Sequence, residues 1–302
     1  MLKRVLKYWN KPNHAAYLFV APAFLVLLLF SLLPLIVSFV ISTLDVTTYF
    51  SNIKFIGIDN FIEAFHDKRF IRSFRTTGLF ILFDVPVGML FAMLVAALVS
   101  GTGFRDKFCR TVYILPIICS STVVAIMWKL FLNPNVGWGV YFLERLGFPK
   151  LAIFSNRDLA IYGIIFISIW RGFGITCIIL VAAMQGVAQD LYDAAVLDGA
   201  GKWAQFWNIT VPGISSTLWF LFITRVVGSF QVFDLIYTIT NGGPNHSTET
   251  VVSYIYSVAF NTDNRLGYAT AMSEILFVII LAVSVVMYGK MLRQEREGGN
   301  GR

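Results

Sequence analysis

Six stretches of this chain are each apolar over a length that can cross a lipid bilayer: Ala15–Thr43, Thr76–Ser100, Cys109–Leu132, Leu159–Met184, Ile214–Thr238 and Ala269–Met291. A spanning helix needs about 20 mostly apolar residues. Lipid offers no partners to backbone N–H and C=O groups, so a span of this length must satisfy them internally, as a helix does. The expected fold is therefore an all-α membrane protein with six transmembrane helices. Composition agrees: 57% of the 302 residues are hydrophobic and 14% are charged, against about 25% charged in soluble domains. No charged run or low-complexity linker divides the chain, which reads as one membrane domain (15–292) between short tails (1–14 and 293–302). The first apolar run continues from Ala15 to about Leu44. It outlasts the roughly 7–15 apolar residues of a signal peptide and reads as a retained span.

The net charge of +7 does not point to nucleic acid, because no basic module interleaved with aromatics is present. Basic residues instead flank the spans. Lys3, Arg4, Lys7 and Lys11, then Arg105, Lys107 and Arg110, then Lys202, and finally Lys290, Arg293, Arg296 and Arg302 fall on the side of the two termini. Fewer fall on the other side, a modest bias toward cytoplasmic termini. Cys109, Cys119 and Cys177 lie in or beside spans, an odd number that suggests small buried hydrophobes and no disulfide framework. His14, His66 and His246 all lie outside the spans, which argues against a membrane-embedded hydrolase.

The segment joining the fourth and fifth spans, Gln185–Gly213, carries more pattern than a connector requires. Asp190 can cap a short helix starting at Leu191, with Ala194 and Ala195 on a close-packing surface. Asp198-Gly199 turns the chain. Lys202 to Ile209 resumes as an amphipathic helix bearing Trp203, Phe206, Trp207 and Ile209, and Pro212 marks the start of the next span. Two readings are open: a knob for a cleft on another protein, or a hairpin lying on the membrane surface.

Asp193-Ala194-Ala195, then Gly199, then Ile209-Thr210-Val211-Pro212 resembles the EAA loop of binding-protein-dependent ABC importer permeases. There the pattern is Glu-Ala-Ala, Gly, Ile-x-Leu-Pro at this spacing. Asp198-Gly199-Ala200 and the positions of Trp203, Phe206 and Ile209 look like the carbohydrate-uptake branch. So do FVAPAFLVLLLFSLLPLI in the first span, FIGIDNFIEAF after it, YILPIICSSTVVAIMWKLF in the third, and Ile239–Ser273. Two positions depart: Asp193 replaces Glu, keeping the charge on a shorter arm, and Val211 replaces Leu.

The resemblance implies a type I ABC importer permease architecture working by alternating access. A sugar-binding protein delivers cargo to the outer face, and ATPase subunits, two of them, grip the coupling loop. A second, different permease completes the membrane part. ATP and magnesium would reside in the ATPase, with no cofactor in this chain. Consistently, no GxxxxGK[ST] phosphate loop occurs here.

For the substrate path, intramembrane charges are candidates by default: Asp84, Lys129, Arg171, Arg225, Asp234 and Glu274, with interhelical ion pairs as the structural alternative. Arg225 and Asp234 fall on opposed helix faces and should not pair with each other. Sugar recognition favours apolar faces mixed with orienting polar groups, which Trp128, Trp170, Trp219, Phe230, Gln231, Phe233 and Tyr237 supply. Alternative cargoes are glycerol phosphate, a polyol or a modified sugar. A different class, an ion-gradient-driven carrier, would need acidic relays and internal repeats, and no repeat is visible.

Overall fold

The structure, a computed structural model, describes residues 12–50, 53–101 and 103–299. Most of the expected N-terminal tail, 1–11, and the last three residues, 300–302, lie outside the described residues. Among the described residues, four helices are long and apolar enough to cross a membrane: Phe19–Ser42, Lys68–Leu98, Ala160–Gln185 and Leu266–Arg293. Two bent pairs, Phe104–Ile118 with Ser121–Phe131 and Lys202–Gly213 with Ser215–Phe230, make six if each counts as one span.

The third and fifth spans are thus each broken, where one transmembrane helix is expected over Cys109–Leu132 and over Ile214–Thr238. The third bends by 96°. Pro116 lies near the end of its first half, and Cys119 and Ser120 are extended before the helix restarts with Val124 N–H on the Ser120 carbonyl. The fifth ends at Phe230, and a separate helix, Asp234–Ile239, follows. The Thr250 hydroxyl donates to the Val232 carbonyl at 3.0 Å in that break. Broken helices survive at membrane depth only where side chains or neighbouring helices take up the freed backbone groups in this way.

Prolines shape other helices differently. Five-residue π-helical turns, Leu28–Leu32 and Phe206–Thr210, end just before Pro34 and Pro212. A proline ring clashes with the carbonyl four residues back, and a wider turn makes room for it.

The chain divides into two compact units. The first comprises Met1–His66 with Ile255–Ile275. After the first span, Leu44–Asp45 and Lys54–Phe55 pair antiparallel, with Leu44 opposite Phe55. The segment FIGIDNFIEAF runs into the helix Asp59–His66. The buried Asn60 amide donates to the Ser42 and Leu44 carbonyls, both at 2.9 Å. Arg265 forms a two-pronged pair with Glu63 at 2.6 and 2.7 Å. The Ser38 hydroxyl donates to the buried Glu274 carboxylate.

The second unit, Asp67–Tyr254 with Leu276–Arg302, holds the larger core. Asp67 caps its first helix by accepting from the backbone N–H of Arg69 and Phe70, so that helix starts at Lys68, well ahead of the expected Thr76. Ala92, Met93 and Ala96 pack with Phe173, Cys177, Leu180 and Met184 between the second and fourth spans. Small residues at such contacts let helix backbones approach closely. Gly174 shows the limit: a Cβ there would overlap the Tyr113 carbonyl of the third span. Gly174→Ala should therefore push these helices apart and cost about 1–3 kcal/mol, read as a lower melting temperature in detergent. An unchanged melting temperature would show that the contact is looser.

Candidate coupling loop and transmembrane cavity

The loop begins where the fourth span ends. The Gln185 side chain donates to the Ser100 carbonyl at 3.0 Å, and Arg110 donates to the Val99 carbonyl at 2.9 Å. These contacts place the loop and the second–third span connection at one end of the second unit. The first loop helix is Gln189–Leu197, with Ala188 at its N-cap and no side-chain cap. Asp190 is therefore not the cap. It sits in the first turn, where a carboxylate interacts favourably with the helix dipole. Gln189 donates to Asp193 Oδ1 at 3.2 Å, one helical turn on.

The helix stops through a double hydrogen bond. Gly199 N–H donates to the Val196 carbonyl at 3.0 Å and Ala200 N–H to the Ala195 carbonyl at 2.8 Å. This closure requires a left-handed residue after the cap, and Gly199 supplies it at φ +76°. The Gln205 side chain then ties back to the Ala200 carbonyl at 2.8 Å. Tyr192 and Thr210 share a hydroxyl–hydroxyl bond of 2.9 Å across the two arms. Trp203, Phe206 and Trp207 pack on one another, with ring centroids 5.4–6.2 Å apart.

The base of this hairpin is rooted and its tip is bare. Val187, Phe206 and Val211 pack on the core between the spans, with Ile214 buried in it. Ile209 and Ala200 are half-buried, whereas Asp193, Ala194, Asp198, Gly199 and Pro212 are exposed. Leu197 is 88% exposed, an apolar tip with nothing of its own chain over it.

A cavity of about 570 Å³ opens among the second to fifth spans. Arg171, Gln231, Phe233 and Asp234 line it, with Asp84, Ser168, Thr176 and Thr224. The other path candidates sit differently. Trp128 and Trp170 meet edge-on at 5.3 Å beside Phe166, packed on the core. Phe230 ends its helix, and Tyr237 stacks on Phe233 at 5.2 Å. Lys129 reaches the Thr238 carbonyl at 3.1 Å.

Asp84 and Arg225 form an interhelical pair in the cavity wall. Arg225 donates to the Asp84 carbonyl at 3.0 Å and to its two carboxylate oxygens at 3.1 and 3.2 Å. Ser229, one turn further along the fifth span, adds a bond of 3.0 Å to the same carboxylate. Gly88, one turn from Asp84, leaves the space the guanidinium fills. Arg225 and Asp234 do not pair. Sequence reasoning marks Asp84 and Arg225 as intramembrane charges but not as partners, since helix periodicity says which face a residue occupies and not which helix lies opposite. Ser229 carries no such mark.

Residues 85–294 match the family described as "Binding-protein-dependent transport system inner membrane component". The chain belongs to this family. The permease is 32% identical to the Probable ABC transporter permease protein YurN of Bacillus subtilis (strain 168), over 92% of this chain and 96% of that protein. It is 30% identical to the sn-glycerol-3-phosphate transport system permease protein UgpA of Escherichia coli O157:H7, over 90% and 92%. Among solved structures it is similar to a chain of a bacterial alginate ABC transporter in complex with an alginate pentasaccharide-bound periplasmic protein. The TM-score is 0.81 with 25% identity, covering 92% of this chain and 95% of that one. The type I importer permease fold expected from the loop motif is thus the fold of this chain, and its role is that of a membrane transport subunit.

Proposed function

We propose that this permease moves a sugar or oligosaccharide from a soluble extracytoplasmic binding protein into the cytoplasm by alternating access, powered by separate ATPase subunits. The observation that carries the reading is the 185–213 hairpin. It is braced at its base on the core beside the cavity and bare at its tip, with small residues and a glycine stop facing outward. A rigid lever of this kind transmits a push from a docked partner to the spans that enclose the cavity. The alginate pentasaccharide and periplasmic protein named for the similar transporter support the carbohydrate class and the binding protein, while the name of UgpA fits the alternative cargo, glycerol phosphate.

In this reading both termini and the hairpin are cytoplasmic, and two ATPase subunits hold ATP and magnesium. A second, different permease completes the complex, and this chain contributes no cofactor and no catalytic residue. The cavity mixes flat apolar faces with polar groups, the surface a sugar needs. The test is uptake of labelled sugar by vesicles carrying the tagged complex. Uptake should fall to background when ATP is depleted and persist when a protonophore collapses the ion gradient. Uptake that survives ATP depletion but collapses with the gradient would establish a secondary carrier instead.

A further inference from the structure

At the end of the second unit opposite the coupling hairpin lies another cavity, of about 430 Å³, into which Arg72, Arg75 and Arg157 all face. Arg72 and Arg75 are three residues apart on one helix and so share a face. Arg157 comes from the segment leading into the fourth span. We infer that this cavity is a binding site for an oxyanion, a phosphate or carboxylate group carried by a small molecule.

Four observations support the inference. Among the described residues, none of the three guanidinium groups takes part in an ion pair. Arg69, one turn earlier on the same helix, is by contrast fully engaged: Glu249 holds it at 2.7 and 2.8 Å, and it lies 4.8 Å over the Tyr254 ring. The helix thus satisfies one arginine and leaves the next two turned toward a cavity. Among the described residues, Asp158 is the only carboxylate lining the cavity, so three positive charges face one negative and the site keeps a surplus of two.

Ser247 also lines the cavity, and among the described residues its buried hydroxyl has no hydrogen-bond partner. A buried unmet hydroxyl costs about 1–3 kcal/mol, a penalty removed when the side chain turns to donate to a bound oxyanion. Depth agrees as well. The helix Lys68–Leu98 has 31 residues, about 46 Å at 1.5 Å each, against a hydrocarbon core of about 30 Å. The excess lets its first turns, with Arg72 and Arg75, stand at or beyond the headgroup level, where soluble anions have access. Planar guanidiniums are suited to two-pronged bonds with carboxylate and phosphate.

The anion has two possible sources, an acidic or phosphorylated cargo or an anionic lipid headgroup. The cargo source rests on the import reading above, so binding is measured without ATP and its failure leaves that reading intact. The complex is purified in neutral detergent and titrated calorimetrically with inorganic phosphate and with digalacturonate, and retained phosphatidylglycerol is counted by native mass spectrometry. The triple variant R72Q/R75Q/R157Q should weaken the anionic probe roughly tenfold or more, and added salt should weaken wild-type binding. Ser247→Ala should give a smaller loss, and a neutral disaccharide should be indifferent to all four positions. Loss of a soluble anion assigns the site to cargo. Loss of phosphatidylglycerol alone assigns it to lipid. Equal probe binding and equal lipid retention in wild type and triple variant overturn the site, as does weakened capture of an acidic partner protein with no change in anion binding.

Discussion

Arg225→Leu is expected to cost about 3–5 kcal/mol, the penalty for removing one member of a buried pair and stranding the other. Asp84 keeps only 4% of its side chain exposed, and Arg225 12%. Without the guanidinium, the carboxylate retains the Ser229 hydroxyl alone. The helices at stake, the second and fifth spans, enclose the cavity, so loss of the pair should lower both the yield of folded protein and its melting temperature in detergent. Asp84→Leu combined with Arg225→Leu should recover much of the loss, because no charge is then stranded. Arg225→Lys should fall between, since an ammonium cannot reproduce the fork that spans both carboxylate oxygens. The double-mutant cycle isolates the coupling. If the single and double variants are equally destabilised, the pair contributes packing and not charge.

The second large effect belongs to Gly199→Pro. Proline fixes φ near −65°, whereas this position sits at +76°. It also lacks the N–H that closes on the Val196 carbonyl at 3.0 Å. Both features that stop the helix are lost together, and the tip carrying Asp193, Ala194 and Leu197 must be repositioned. Each ~1.4 kcal/mol lost from docking is tenfold in affinity, so ATP-driven uptake should drop roughly tenfold or more. Sugar affinity of the soluble binding protein should stay unchanged. Gly199→Ala keeps the N–H and has open space for its methyl. It meets only the left-handed penalty of about 1–2 kcal/mol and should be milder. A bulky residue at the exposed Ala194 should uncouple by blocking the docking face, with no cost in folding. Normal coupled uptake in both Gly199→Pro and the Ala194 variant would remove the docking role.

The six apolar stretches were legible because lipid demands length and apolarity, which are properties of a segment by itself. The glycine stop of the hairpin was legible for a similar reason: a left-handed residue leaves its mark at one position. Breaks within spans were not. Cys119-Ser120 and Gln231–Phe233 are too short and too apolar in their surroundings to lower the hydropathy of a 20-residue window, yet each ends a helix. Asp190 misled because a carboxylate in the first turn and one at the cap favour the same end of a helix. Nothing in the sequence sets Arg72, Arg75 and Arg157 apart from other basic residues that flank spans. That Arg69 has an acidic partner while Arg72 and Arg75 form no ion pair among the described residues is a tertiary fact, since Glu249 lies 180 residues away in the chain.

The Asp84–Arg225 contact also limits how the helices can move. The guanidinium of the fifth span lies against Gly88 of the second, and Gly172 of the fourth lies 3.7 Å from it by way of the position a Cβ would take. A side chain lodged among three helices and bonded to a backbone carbonyl as well as a carboxylate resists sliding of one helix along another, because translation would withdraw it from all its partners at once. Tilting about that point leaves the bonds in place. A change in cavity shape that keeps the pair intact is therefore a rotation about Arg225 and not a slide of one helix along another.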